Sequence, residues 1–181
     1  TRAADLGLKA IAITDHNSLA GVVRAYAALK ELRRNMDEIT IRSTKRVDPS
    51  SKEEIEGQDI TLHGDHLPKL IIGARLILED SDVDWVALPR DRKAYEGLSR
   101  LLTLGKRRTQ KGSCTLYHGD LIKGAQGIIL IALHNNLEHG TRTHIREMAR
   151  CYPGHVYLGA APRYDGSDQE HFNECQSMAH S

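Results

Sequence analysis

Aromatic residues are scarce in this 181-residue chain: one Trp, one Phe and six Tyr, 4% of the whole. Its core must be packed mostly from Leu, Ile, Val and Ala. Cysteine is scarce too. Cys114, Cys151 and Cys175 are odd in number, far apart and without a CxxC pair. That argues against a disulfide framework and against a zinc knuckle, and fits a reducing compartment. A dominant charge is missing: 25 Lys and Arg stand against 24 Asp and Glu, a formal net charge of +1. Bulk electrostatics therefore give no pull toward nucleic acid or a membrane. No apolar run approaches a membrane span, and the opening TRAADLGLKA is not a signal peptide. A cytoplasmic chain without membrane partners is expected. There is no Walker loop, no dinucleotide fingerprint, no GxSxG and no internal repeat. What is present is 40% hydrophobic residues in a length that suits one domain, 1–181. The first residue is not Met and the chain opens in a helical pattern, so it reads as part of something longer.

The pattern along the chain alternates. Arg2 to Leu6 reads as a helix end capped by Gly7, and Lys9 to Thr14 as a short buried strand. Ser18 is a suitable N-cap for a helix whose face carries Leu19, Val22, Val23, Tyr26 and Leu29. From about Leu32 to Pro68 the sequence is mixed-charge, with little periodicity; 32–68 is expected to be a polar surface insertion, poorly ordered or with a small hairpin. Strands are expected at Lys69 to Leu78 and Asp84 to Leu88. A helix opened by Pro89 and Asp91 shows Tyr95, Leu98, Leu101 and Leu102 on one face and ends at Gly105. A short helix at Asp120 to Lys123, the strand GIILIAL (Gly127 to Leu133), a helix from Thr143 to Cys151, a strand from His155 to Ala160 and a helix from Ser167 to Ala179 complete an α/β order.

Within AIAITDHNSLAG, Ala10 to Gly21, a buried strand gives way to a helix and presents Asp15 and His16 side by side. In parallel α/β folds that edge is where sites are built. A carboxylate and an imidazole there suit a divalent ion. The commoner use of such residues is to cap a loop or a helix start. His134 follows the strand GIILIAL and could enter the same edge as His16. His63 and His66, in LHGDHL, read as solvated loop residues, and His139 and His144 as surface residues. Lys106, Arg107, Arg108 and Lys111 are the densest basic patch. They could touch phosphates, although a charge run after a helix is more often a solvated turn. No aromatic is interleaved for base stacking.

The stretch AADLGLKAIAITDHNSLAGVVRAYAALKE resembles the start of the polymerase-and-histidinol-phosphatase (PHP) domain, which carries a TDH-like turn at a strand end. LIIGARLILED, WVALPRDRKAYEGLSRLLTLGKRRTQKG and HGDLIKGAQGIILIAL resemble later parts of that domain in bacterial C-family DNA polymerases, most of all the error-prone, translesion branch. The resemblance implies an α/β fold, a partial distorted (β/α) barrel with parallel strands alternating with helices. It implies a parent nucleotidyltransferase that copies damaged DNA in replication and repair, with DNA and other replication or repair proteins as partners. The polymerase active site would lie outside these residues. Carried over by position, Asp15 and His16 are the metal-ligand positions for Zn, Mn or Mg. A glutamate of the next motif is replaced by Arg75 in IIGARL, and the His-x-His and Asp-x-His motifs would fall before Thr1 and after Ser181. The resemblance thus implies a scaffold with a degenerate metal site, binding metal weakly or not at all. A metal-dependent phosphoesterase and a non-enzymatic DNA- or protein-interaction module are the alternatives.

Overall fold

The computed structural model describes residues 2–43, 67–134 and 137–180. They group into two compact units, 1–12 with 22–71 and 13–21 with 72–181. In the first unit, helix α1 (Arg2–Asp5) stops where Gly7 takes a φ of 66°. The Gly7 and Leu8 N–H groups donate to the carbonyls of Ala4 and Ala3. This left-handed stop is one that glycine adopts without steric cost. Helix α2 (Ala20–Ser43) continues well past Leu32, taking up the first part of the segment read as an insertion. Residues 32–43 contain neither Gly nor Pro, so nothing in them halts a helix already under way. The remainder of that segment, with His63 and His66, lies outside the described residues. On α2, Val22 is buried, whereas Val23 and Tyr26 of the expected apolar face are 72% and 63% exposed.

The second unit holds the helix-covered part of a five-stranded sheet in the order β1 (Ala10–His16), β2 (Lys69–Leu76), β3 (Asp84–Pro89), β4 (Ile128–Leu133), β5 (Val156–Leu158). β3 is antiparallel to both β2 and β4, and β5 is parallel to β4. At one end Lys69 N–H donates to the Lys9 carbonyl, and at the other Asn17 N–H donates to the Arg75 carbonyl, so β1 and β2 run the same way. The α/β class and the open, partial barrel hold; the expectation of parallel strands throughout is corrected at β3. Only residues 77–83 separate β2 from β3, too few for the crossover that a parallel neighbour needs, so the chain turns straight back.

Alternation along the strands puts Ala74, Leu76, Trp85, Ala87, Ile128, Leu130 and Ala132 on one face. This face packs into one cluster with helices α3 (Arg92–Arg107), α4 (His118–Gly124), α5 (His139–Cys151) and α6 (Asp168–Ala179), through residues such as Leu98, Leu121, Met148 and Met178. Asp91 caps α3 as expected, its Oδ1 accepting the Ala94 N–H at 2.8 Å. Gly105 does not end that helix. It lies within α3, where an added Cβ would stand 2.7 Å from Cys114 Sγ and 2.9 Å from the Thr115 carbonyl. The residue is small because the 114–116 segment crosses the helix there. Among the described residues no helix is long and apolar enough to cross a membrane.

Candidate functional site

The turn after β1 assigns its polar residues to separate tasks. Asp15 Oδ2 accepts the Gly21 N–H at 2.6 Å, satisfying a donor in the first turn of α2. Gly21 must be glycine for this, because a Cβ would fall 2.5 Å from that oxygen. Ser18 Oγ accepts the Ala20 N–H at 3.1 Å, close to its expected capping role. Asn17 takes a φ of 45°, a region that Asn tolerates better than most residues. Its amide Nδ2 donates to the Ile77 carbonyl and its Oδ1 accepts the Ile77 N–H, both at 3.0 Å. The side chain so extends the ladder past the end of β2. His16 is exposed and makes no side-chain hydrogen bond to the described residues.

The surroundings of His16 are cationic. A cleft of about 580 Å³ is lined by His16, Asn17, Ser18, Lys106, Gln110 and Lys111, among others. Arg75 does not project as a free charge: its Nε and guanidinium NH2 both donate to Asp84 Oδ2, at 2.9 and 2.6 Å. Arg108 is likewise engaged, forked onto the Asp120 carboxylate with its guanidinium 5.3 Å from the Tyr117 ring centroid. That pairing holds the Asp120 carboxyl below its ordinary value. Of the basic patch, Lys106 and Lys111 therefore face the cleft. A divalent ion at this turn would find one free imidazole, a carboxylate already accepting a backbone N–H, and two lysines. Among the described residues, those at this turn do not fit a tight cation site.

His134 leaves β4 at the same strand ends but on the other side. Ile128, Leu130 and Ala132 point into the helix-covered core, and alternation carries His134 on with them. Thr14, two residues before His16, shares the opposite face with Gly73 and Leu88. His134 meets His171 and Cys175 of α6: Cys175 Sγ is 3.5 Å from His134 Nε2 and 3.9 Å from either ring nitrogen of His171. Among the described residues this is the one trio of His, Cys, Asp or Glu whose donor atoms all lie within 4.8 Å of each other, and neither Asp15 nor His16 belongs to it. Burial is the main force holding His134 below the ordinary histidine range, and it pushes the Cys175 thiol up. The one sequence signal for the pair on α6 was the i, i+4 spacing of His171 and Cys175. A second histidine pair is structural. His118, buried at the start of α4, stacks on His144 at 4.2 Å and meets Glu147 through Nε2 at 3.1 Å. His144 Nδ1 lies 2.9 Å from Ser81 Oγ, so His144 is half-buried rather than a surface residue.

An open α/β sheet with an ITDH turn at the exit of its first strand defines a class. The PHP domain family matches residues 1–158, and the chain belongs to it. Within that family its curated relatives are specific. It is 58% identical over 182 residues to the error-prone DNA polymerase of Ruegeria pomeroyi, covering 99% of this chain and 16% of that protein. It is 34% identical to the error-prone DNA polymerase of Rhodopseudomonas palustris, over 98% of this chain and 13% of that one. The chain thus spans about a sixth or less of the length of these relatives. In fold it is similar to a crystal structure described as a metal-dependent phosphoesterase from Bifidobacterium adolescentis, with a TM-score of 0.55 and 15% identity over 99% of this chain and 75% of the other.

Proposed function

We propose that this chain is the PHP portion of an error-prone DNA polymerase and acts there as a scaffold. The parent would be a cytoplasmic nucleotidyltransferase that extends DNA opposite damaged template, with DNA as its substrate and replication or repair proteins as its neighbours. The observation that carries this reading is the similarity of nearly the whole chain, at 58% identity, to one segment of such a polymerase. The site geometry supports the scaffold role. Asp15 caps the first turn of α2, Asn17 extends the β2 ladder, and His16 looks into a cleft with Lys106 and Lys111 in place of further carboxylates. On this reading Asp15 and His16 are the inherited metal-ligand positions, and they no longer retain a Zn, Mn or Mg ion.

The test is hydrolysis of p-nitrophenyl phosphate with Mn²⁺, comparing the chain with Asp15→Asn and His16→Ala. The expected outcome is background hydrolysis in all three. A rate well above background that disappears in His16→Ala would overturn the scaffold reading and establish a phosphoesterase. The lysine-lined cleft favours a secondary role, contact with a DNA backbone. Charge reversal of Lys106 and Lys111 should then weaken DNA binding and flatten its salt dependence. Binding that is unchanged by both reversals removes the cleft from consideration.

A further inference from the structure

Two imidazoles and a thiol converge at the junction of β4 and α6. His134 arrives there because the strand's alternation turns it into the core, while His171 and Cys175 share the buried face of α6 one turn apart. Among the described residues the polar contact of the His134 ring is from Nε2 to Cys175 Sγ, at 3.5 Å. Two imidazoles and a thiol whose donor atoms all lie within 4.8 Å of one another make a nitrogen–sulfur ligand set. The trio's position is fixed by a neighbour: Arg142 donates from Nε to the Leu137 carbonyl at 2.5 Å and pairs with the Glu174 carboxylate. This guanidinium ties the turn after β4 to α6 beside Cys175, and it neutralises the carboxylate that would otherwise compete for an ion.

We propose that His134, His171 and Cys175 form a binding site for a borderline-soft transition ion of the zinc class, which clamps α6 to the end of β4. Metal–nitrogen and metal–sulfur bonds of about 2.1 and 2.3 Å put tetrahedral ligand edges at roughly 3.3–3.7 Å. The Cys175–His134 separation of 3.5 Å falls in that range, and the 3.9 Å to His171 needs a contraction of a few tenths. Nitrogen and sulfur donors exclude Mg²⁺ and Ca²⁺, which take oxygen. The fourth position belongs to water. The site lies on the helix-covered face and shares no residue with the TDH turn, so it stands whether or not the turn has kept its own chemistry.

Co²⁺ is the probe, because a cobalt–thiolate bond gives a charge-transfer band in the near ultraviolet. The chain, stripped with chelator, should show that band at about one equivalent of Co²⁺ and lose it when Zn²⁺ is added. Cys175→Ser should abolish the band, and His171→Ala should weaken binding by more than the roughly 10–100-fold typical of losing an outer-shell partner. His16→Ala, Cys114→Ser and Cys151→Ser should leave the band intact. Circular dichroism of each variant shows whether it folds, and a zinc-dependent rise in the melting temperature of the unmutated chain supplies a readout that needs no variant. Absence of both the band and the zinc-dependent rise would overturn the proposal. So would a band that survives in a folded Cys175→Ser chain, or one that vanishes with His16→Ala.

Discussion

Asp15 and Gly21 act as one unit at the residue scale. The 2.6 Å bond from the Gly21 N–H to Asp15 Oδ2 exists only while residue 21 lacks a Cβ. Asp15→Ala should cost about 1 kcal/mol of stability, the usual price of a lost N-terminal cap. Gly21→Ala, which pushes the carboxylate away, should cost a similar amount. Urea denaturation of the double variant should show clearly less than the sum, because both changes break one bond. His118 supplies a pH dependence. Burial is the main cause holding it below its ordinary value, the facing His144 adds to this, and Glu147 and Asp80 oppose it more weakly. A histidine depressed in the folded state is neutral in both states above its unfolded pKa, near 6.5. As pH falls through that value the unfolded chain takes up its proton first, so stability declines from there down to the folded pKa and stays lost below it. Melting temperatures should therefore drop on acidification below about pH 6.5. His118→Gln should make that slope shallower, and an unchanged slope would assign the effect elsewhere.

Helix α3 shows at the element scale what a close approach demands. Gly105→Ala would bring a Cβ to 2.9 Å from the Thr115 carbonyl, a backbone atom that cannot swing aside. A destabilisation of about 1–3 kcal/mol is expected, read as a lower urea midpoint at unchanged slope. The buried stripe of α3, Ala94, Leu98, Leu101, Leu102 and Gly105, was only partly legible in the sequence. The three leucines announced it, but Tyr95 stood out as apolar and is 39% exposed, while the small residues Ala94 and Gly105 carried no hydrophobic signal. The strands were legible because alternation and turn residues are local. The reversal of β3 was not, since direction follows from connection length together with pairing. The turn residues of the site were legible by position, and their roles were not: whether a carboxylate accepts a backbone N–H or binds an ion depends on what folds against it. His171 and Cys175 escaped notice because their partner, His134, comes from a strand far away in sequence.

At the scale of the whole molecule, the described strands form a sheet with β1 and β5 at its ends. β5 is a three-residue edge and so offers little to a passing strand, but β1 is a seven-residue edge whose first three residues are exposed. Such an edge templates pairing with another chain unless something covers it. Light scattering of the isolated chain should therefore rise with concentration. Ile11→Lys, a charge on that edge at a residue 37% exposed, should suppress the rise while leaving the melting temperature nearly unchanged. Equal scattering from both proteins would move the cause to other exposed apolar groups such as Val23 and Tyr26.

The division of labour in the turn after β1 bears on how such a motif is read. Of its polar letters, aspartate and asparagine serve the fold, since one caps a helix and the other lengthens a strand ladder. Among the described residues the exposed His16 makes no such bond, so the fold does not hold its side chain. Substitution of His16 should therefore be nearly silent for folding, whereas substitution of Asp15 or Asn17 should lower stability. Most of the spelling of the turn is thus accounted for by architecture, whatever the histidine does.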